Sequence, residues 1–352
     1  MDRDSMQILT KMVIDFLCLF VVAMCVLMFY LYGKPFERGF FCSDESLKYP
    51  FGESTVTSTM LYLVGLFLPI CVMICCEYLD AKKKRGQSTR VFFGYTIPPW
   101  VWKAYYHIGI FGFGSACTVL TTDIAKYTIG RLRPHFLTVC NTSACNLTSN
   151  VGVYVEDFTC NPLPIYTERT LKEARLSFPS GHSSFSAYTM IYLVLYLQLR
   201  VHWAISKLLK HLLQFLCFWM AWFTAMSRVS NYKHHWSDVL AGSTLGIAMA
   251  LFMANFVAGL FKPKRSVGND KNLHGSENGT EETQMLEIIA CVTCADGQYQ
   301  THVFTALALG HAVNFTLVEN CPLAASVTQY TIFKYSTTLV SCTCHMSQDR
   351  QD

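Results

Sequence analysis

Charge is what this chain has least of. Only 15% of its 352 residues are Asp, Glu, Lys or Arg, where a soluble enzyme of this length carries about a quarter. With 52% hydrophobic residues, the deficit excludes an ordinary water-soluble fold and points to a chain solvated by lipid. The formal net charge is +4, too small to suggest a nucleic-acid partner; some of it can face anionic headgroups or an anionic substrate. Metal signatures are missing as well. No HExxH, paired-carboxylate or CxxC cluster accompanies His182, His234 and Asp238, the residues that could otherwise be ligands. No small-residue cleavage site follows the first apolar run, so that run is read as a span and not as a removed leader.

What is present is six apolar runs, Met12–Tyr32, Val56–Cys76, Ala104–Thr122, Ser183–Leu199, Leu208–Met226 and Val239–Phe261. Each approaches the ~20 residues a helix needs to cross ~30 Å of hydrocarbon. The expected fold is therefore all-α, a six-transmembrane helix bundle with a largely irregular tail. Its parts are an N-terminal segment 1–11, a six-span domain 12–262 and a tail 263–352. The basic run Lys82–Arg85 marks the cytosolic side under the positive-inside rule. Both termini then lie in the cytosol, and the loops 33–55, 123–182 and 227–238 lie outside. The middle outer loop carries the acceptor sequons at Asn141 and Asn146. It also holds Cys140, Cys145 and Cys160, with Cys42 in the first outer loop. These are plausible disulfide partners whose pairing the spacing does not give.

Three segments sit at boundaries on that outer side: KYTIGRLRP (Lys126 to Pro134), PSGH (Pro179 to His182) and SRVSNYKHHWSD (Ser227 to Asp238). Lys126 and Arg133 are seven apart, so on a continuing helix they would share a face and hold a phosphate between them. The plain alternative is a pair of snorkelling residues at a helix end. PSGH places Ser180, Gly181 and His182 at a helix N-terminus, where unpaired N–H groups attract an anion; an ordinary serine cap is the competing reading. His234 and Asp238 are four apart, so on a helix the carboxylate would take the imidazole Nδ1–H and leave Nε2 free as a nucleophile. Arg228 can fold back onto the same phosphate, and His235 would point away from Asp238 as part of an interfacial belt. Several cations around one pocket would repel a divalent metal, so neither metal nor cofactor is expected.

Together, K-x6-RP, PSGH and SR-x5-H-x3-D resemble the three signatures of the type 2 phosphatidic acid phosphatase superfamily. FERGFFCSDESLKYPF (Phe36 to Phe51) and TDIAKYTIGRLRPHFL (Thr122 to Leu137) are similar to its animal lipid phosphate phosphatases, or phospholipid phosphatases. The resemblance covers roughly residues 10 to 262. It implies a six-span membrane hydrolase with an exofacial, glycosylated loop, in the plasma membrane or an endomembrane. By the same resemblance His234 becomes phosphohistidine and Asp238 orients it. His182 protonates the leaving alkoxide and then activates water, while Lys126, Arg133, Ser180, Gly181 and Arg228 bind the phosphoryl oxygens. The implied partners are bilayer lipid phosphates (phosphatidate, lysophosphatidate, sphingosine 1-phosphate, ceramide 1-phosphate), with room left for a homo-oligomer.

A catalytically silent lipid-binding or scaffolding relative would have lost one of these groups, and none is lost. A transporter would carry paired ionisable residues inside its spans, which the sequence shows only sparsely. A vanadate haloperoxidase shares the pocket chemistry but not the spans. The tail fits none of this: a polar linker (271–283), a CxxC at Cys291 and Cys294, and a Cys342-Thr343-Cys344-His345 cluster carry no assigned function.

Overall fold

The structure is a computed structural model that describes residues 3–83, 90–146, 152–200, 207–261, 289–295, 298–304, 315–318 and 327–330. It divides into two compact units, Met1–Lys264 and Arg265–Asp352. In the first unit, six long helices are joined by short elements. The long ones are α1 (Arg3–Tyr32), α2 (Ser58–Lys83), α3 (Pro99–Ile129), α6 (Gly181–Arg200), α7 (Lys207–Ser230) and α8 (Trp236–Phe252), the last continuing into a π-helical turn, Met253–Val257. The short helices α4 (Phe136–Cys140) and α5 (Glu168–Glu173) lie between α3 and α6. A hairpin of β2 (Arg90–Phe92) and β3 (Tyr95–Ile97) joins α2 to α3.

Five of the long helices are apolar and long enough to cross a membrane, so the chain is a multi-pass integral membrane protein. The sixth, α6, is long enough but less apolar than these five. Its place explains why: α6 packs against α2, α3, α7 and α8 and faces neighbouring helices where the others face lipid. Its small hydroxyls are satisfied within the bundle. Thr189 donates to the Phe185 carbonyl at 3.0 Å, and the Ser184 hydroxyl lies 2.9 Å from that of Thr122 on α3. Tyr188, Tyr192 and Tyr196 run down the same helix into a core with Phe111, Met73 and Met253. On α8, Gly242 and Gly246 let the backbones touch. A Cβ at 242 would lie 2.5 Å from the Ser180 carbonyl oxygen, and one at 246 would lie 2.8 Å from the Tyr188 nitrogen and overlap the Ser184 carbonyl. This small-xxx-small seam is how membrane helices approach closely without a hydrophobic driving force.

The helices overrun the apolar runs at several ends, because a helix continues while its backbone bonds are made, whatever the side chains meet. α3 starts on a proline at its first position and stops where Gly130 turns left-handed (φ 59°), its N–H donating to the Lys126 carbonyl. Inside the bundle, ionisable groups are better partnered than the sequence suggests. Glu77 on α2 is almost fully buried, and its Oε1 accepts from Tyr196 Oη and Arg200 Nε, each at 3.0 Å, with His107 Nε2 at 3.6 Å. The sparse, unpaired reading fails here because the partners come from two other helices, α3 and α6.

The end of the bundle opposite Glu77 carries a small second core of Phe40, Leu47, Leu132, Phe136, Cys140 and Ala174. Disulfides Cys42–Cys145 and Cys140–Cys160 tie it together. A two-residue antiparallel pairing of β1 (Phe40–Phe41) with β4 (Tyr154–Val155) adds to it. In the second unit, expected to be largely irregular, the described residues form two antiparallel hairpins. These are β5 (Ile289–Ala295) with β6 (Gln298–Phe304), and β7 (Phe315–Val318) with β8 (Val327–Tyr330). The Cys342–His345 cluster and the polar linker lie outside the described residues.

Candidate active site

Main-chain hydrogen bonds stitch the three segments into one locus. Arg133 N–H donates to the Ala174 carbonyl (2.8 Å), Ser177 N–H to the Arg131 carbonyl (2.9 Å) and Ser180 N–H to the Asp238 carbonyl (3.0 Å). Residues far apart in sequence are therefore positioned by backbone, independently of their side chains.

His234 is 4% exposed and sits in the turn between α7 and α8. Its Nδ1 lies 2.7 Å from the Ser177 carbonyl oxygen. A carbonyl only accepts, so Nδ1 carries the hydrogen and Nε2 keeps its lone pair. Burial pulls the ring's pKa down to about 3; the nearby Asp238 carboxylate opposes that, while the Arg133 and Lys126 charges reinforce it. The ring is neutral at physiological pH.

The sequence reading of the Asp238 partnership is corrected. α8 begins at Trp236, so His234 and Asp238 are not stacked on one helix, and His234 Nδ1 stays 3.9 Å from the carboxylate. Asp238 is instead the third residue of the helix, where it accepts the His235 N–H at 3.0 Å. Contrary to expectation, His235 turns toward it, with Nδ1 3.3 Å from Oδ2. The carboxylate is fully buried and also takes Ser177 Oγ (2.6 Å) and Arg131 Nη1 (2.5 Å). It is the hub that holds the loop before α6, the loop after α3 and the start of α8 in register.

Lys126 is in the last turn of α3, its Nζ 3.9 Å from Asp123, and a Cβ added at Gly181 would come within 2.9 Å of that Nζ. Gly181 is thus a clearance position for the lysine. The helix ends before Arg133, so the two cations do not share a helix face as expected, though the Arg133 charge still acts on Lys126. Ser180 is fully buried and its hydroxyl accepts from the Ser183 hydroxyl at 2.9 Å, the capping role weighed from sequence. Arg228, 2% exposed, contacts Ser227 at 3.3 Å and Ser54 at 3.4 Å. Arg133 Nε and His182 Nε2 are among the buried side-chain atoms left without a hydrogen-bond partner among the described residues. An unpaired buried polar atom is costly, and both sit beside a cluster of positive charge that suits an anion. Among the described residues no group of three or more His, Cys, Asp or Glu could hold a metal ion.

Sequence reasoning missed the residues that complete this locus. Arg131 lies inside KYTIGRLRP with no role assigned to it, and nothing in the spacing singles out Ser177, since the carbonyl it offers His234 is common to every residue. The segment between β1 and α2 roofs the site: Tyr49 stacks on Tyr232 at 4.4 Å, and Phe51 meets His135 edge-on at 5.0 Å. His135 repeats the His234 arrangement, its Nδ1 2.8 Å from the Tyr232 carbonyl, with a pKa drawn down to about 3 by burial and then by Arg133 and Lys233. Of the sequon residues, Asn141 is exposed and its Nδ2 donates to the Asn161 carbonyl at 3.0 Å; the Asn146 side chain lies outside the described residues.

The PAP2 superfamily profile matches residues 107–262, which span all three segments. A Drosophila melanogaster protein named "Putative phosphatidate phosphatase" is 50% identical, the match covering 74% of this chain and 72% of that one. Mouse "Phospholipid phosphatase 1" is 38% identical over 72% of this chain and 86% of its own, and human "Phospholipid phosphatase 2" is 37% identical over 71% and 84%. No solved structure matches.

Proposed function

Because the chain belongs to the PAP2 superfamily, we propose that it hydrolyses lipid phosphate monoesters (phosphatidate, lysophosphatidate, sphingosine 1-phosphate or ceramide 1-phosphate) through a phosphohistidine. The observation that carries this reading is the neutral, Nδ1-anchored His234 beside the cations Lys126, Arg133 and Arg228. In the proposed reaction Nε2 of His234 attacks phosphorus and the P–O bond to the lipid breaks. Burial, and next the Arg228 charge, hold the His182 pKa down to about 2 in the empty site; protonated once the phosphate dianion lies beside it, His182 gives that proton to the departing alkoxide. Water then attacks the phosphohistidine, its proton passes to His182, and inorganic phosphate leaves with the ring restored to neutrality. The basic side chains and the Gly181 amide hold the equatorial oxygens; the Ser180 hydroxyl, engaged with Ser183, keeps a hydrogen to donate. The reading needs no metal, since the charge a divalent ion would supply comes from these residues.

The site end is assigned to the outer or lumenal side. Two disulfides at that end suit an oxidising compartment, and Lys82 and Lys83 close α2 at the other end. On this proposed orientation both termini lie in the cytosol, and Asn141 and Asn146 are glycan acceptors. The test is phosphate release from phosphatidate in detergent micelles with excess EDTA. Activity that survives chelation and vanishes with the phosphoenzyme in His234→Ala supports the mechanism. Activity lost to EDTA, or retained by the variant, refutes it, and an inactive native protein favours a lipid-binding scaffold.

A further inference from the structure

Lys233 belongs to none of the three signatures' assigned positions, yet it is as enclosed as the residues that do. It is 7% exposed, on the turn between α7 and α8, with its backbone N–H donating to the Arg228 carbonyl at 3.0 Å. Tyr232, at φ 52°, reverses the chain just before it, in a region where side chains are rarely found. The stack of Tyr232 on Tyr49 holds that turn closed. The ammonium lies 3.6 Å from the centre of the Phe51 ring, a cation–π seat on the roof of the site. No carboxylate forms an ion pair with it among the described residues, and its electrostatic neighbours are mostly hostile. Arg133 from the loop after α3 and Arg228 from α7 repel it, His135 stands near, and only Glu173 of α5 attracts it. A primary amine buried among guanidiniums is a poor arrangement for an empty protein and a good one for a protein holding a dianion.

We propose that Lys233 is a further phosphate-binding residue, seated on Phe51 so that its ammonium joins Lys126, Arg133 and Arg228 around the phosphoryl group of the monoester. This rests on the phosphatase reading above. It also gives the site an alkaline limit, because burial first and the two guanidiniums next bring the Lys233 pKa down to about 8. Above that pH the amine is neutral and one of the charges that hold the phosphate is lost.

The experiment is kcat/KM for phosphatidate in micelles from pH 6 to pH 10, for the native protein, Lys233→Met and Lys233→Arg, with orthovanadate inhibition measured alongside. Native activity should fall above about pH 8. Lys233→Arg keeps its charge and should carry the plateau past pH 9. Lys233→Met should lose about 10- to 100-fold at pH 7, mainly in KM, lose that alkaline limb and bind vanadate correspondingly less tightly. If Lys233→Met does not stay monodisperse, the arginine variant decides alone, since a limb due to Lys126 would not move with it. An unshifted limb in Lys233→Arg, or native affinity in Lys233→Met, overturns the assignment. A native protein inactive on every lipid phosphate overturns the phosphatase reading instead.

Discussion

Replacing Asp238 by Asn separates two ideas of what that carboxylate does. The native group is fully buried and takes Arg131 Nη1 at 2.5 Å, Ser177 Oγ at 2.6 Å and the His235 N–H at 3.0 Å. Asparagine keeps one acceptor oxygen but sets an NH2 donor against a neighbouring donor and removes the charge that faces Arg131. Breaking a buried pair costs about 3–5 kcal/mol. The Arg131 side chain is 32% exposed, so water recovers part of that, and about 2–3 kcal/mol is expected. The measurable consequence is a lower midpoint of thermal unfolding in detergent. Chemistry should suffer less, because His234 takes its tautomer from the Ser177 carbonyl at 2.7 Å, which the substitution leaves in place. We expect kcat to fall about 10- to 100-fold from misplacement of the loops, short of the about 10⁴-fold seen where a catalytic histidine loses its tautomer. A loss of 10⁴-fold at native thermal stability would refute this, and would mean that Asp238 orients His234 directly during turnover.

Gly246→Val should destabilise the bundle by about 1–3 kcal/mol or more, since its side chain meets Ser184 and Tyr188 backbone that cannot yield; native stability in a thermal scan would remove the α6–α8 seam from the account. Acid should weaken the fold between pH 6.5 and about 3. His234 and His135 both have pKa values lowered to about 3, so across that window the unfolded chain binds protons the folded one does not. Each then costs up to about 1.4 kcal/mol per pH unit as pH falls, and a flat profile in thermal scans would contradict the buried, neutral rings. Cys42→Ser should cost more than Cys160→Ser, because the first disulfide closes 103 residues and the second 20. Loop closure puts these at about 4.7 and about 3 kcal/mol, and the reverse order would show that the cap holds itself by packing.

The spans were legible because lipid demands long apolar runs, and the one misfit, α6, is the one whose partners are protein. Its serines and tyrosines look wrong for hydrocarbon until α2, α3, α7 and α8 surround them. The three segments of the candidate site were legible as residue types, but their hydrogen bonds were not. Counting four residues from His234 to Asp238 suggested a helical pair, whereas the helix starts between them and the aspartate caps it. Counting seven from Lys126 to Arg133 assumed a helix that Gly130 ends. Ser54, Phe51 and Tyr49 could not have been found by spacing, since only the fold of the loop between α1 and α2 over the turn after α7 brings them to Arg228, Lys233 and Tyr232.

The bond from His234 to a peptide oxygen has a consequence for how this protein tolerates change. Every amino acid supplies a carbonyl, so no substitution at 177 can delete the group that sets which ring nitrogen is free. Ser177→Ala would give up only the 2.6 Å hydroxyl contact to Asp238. Mutational scans would therefore score position 177 as a tether for the carboxylate and miss its hold on the histidine. That hold is heritable only as chain path, through the loop hydrogen bonds that fix where residue 177 lies.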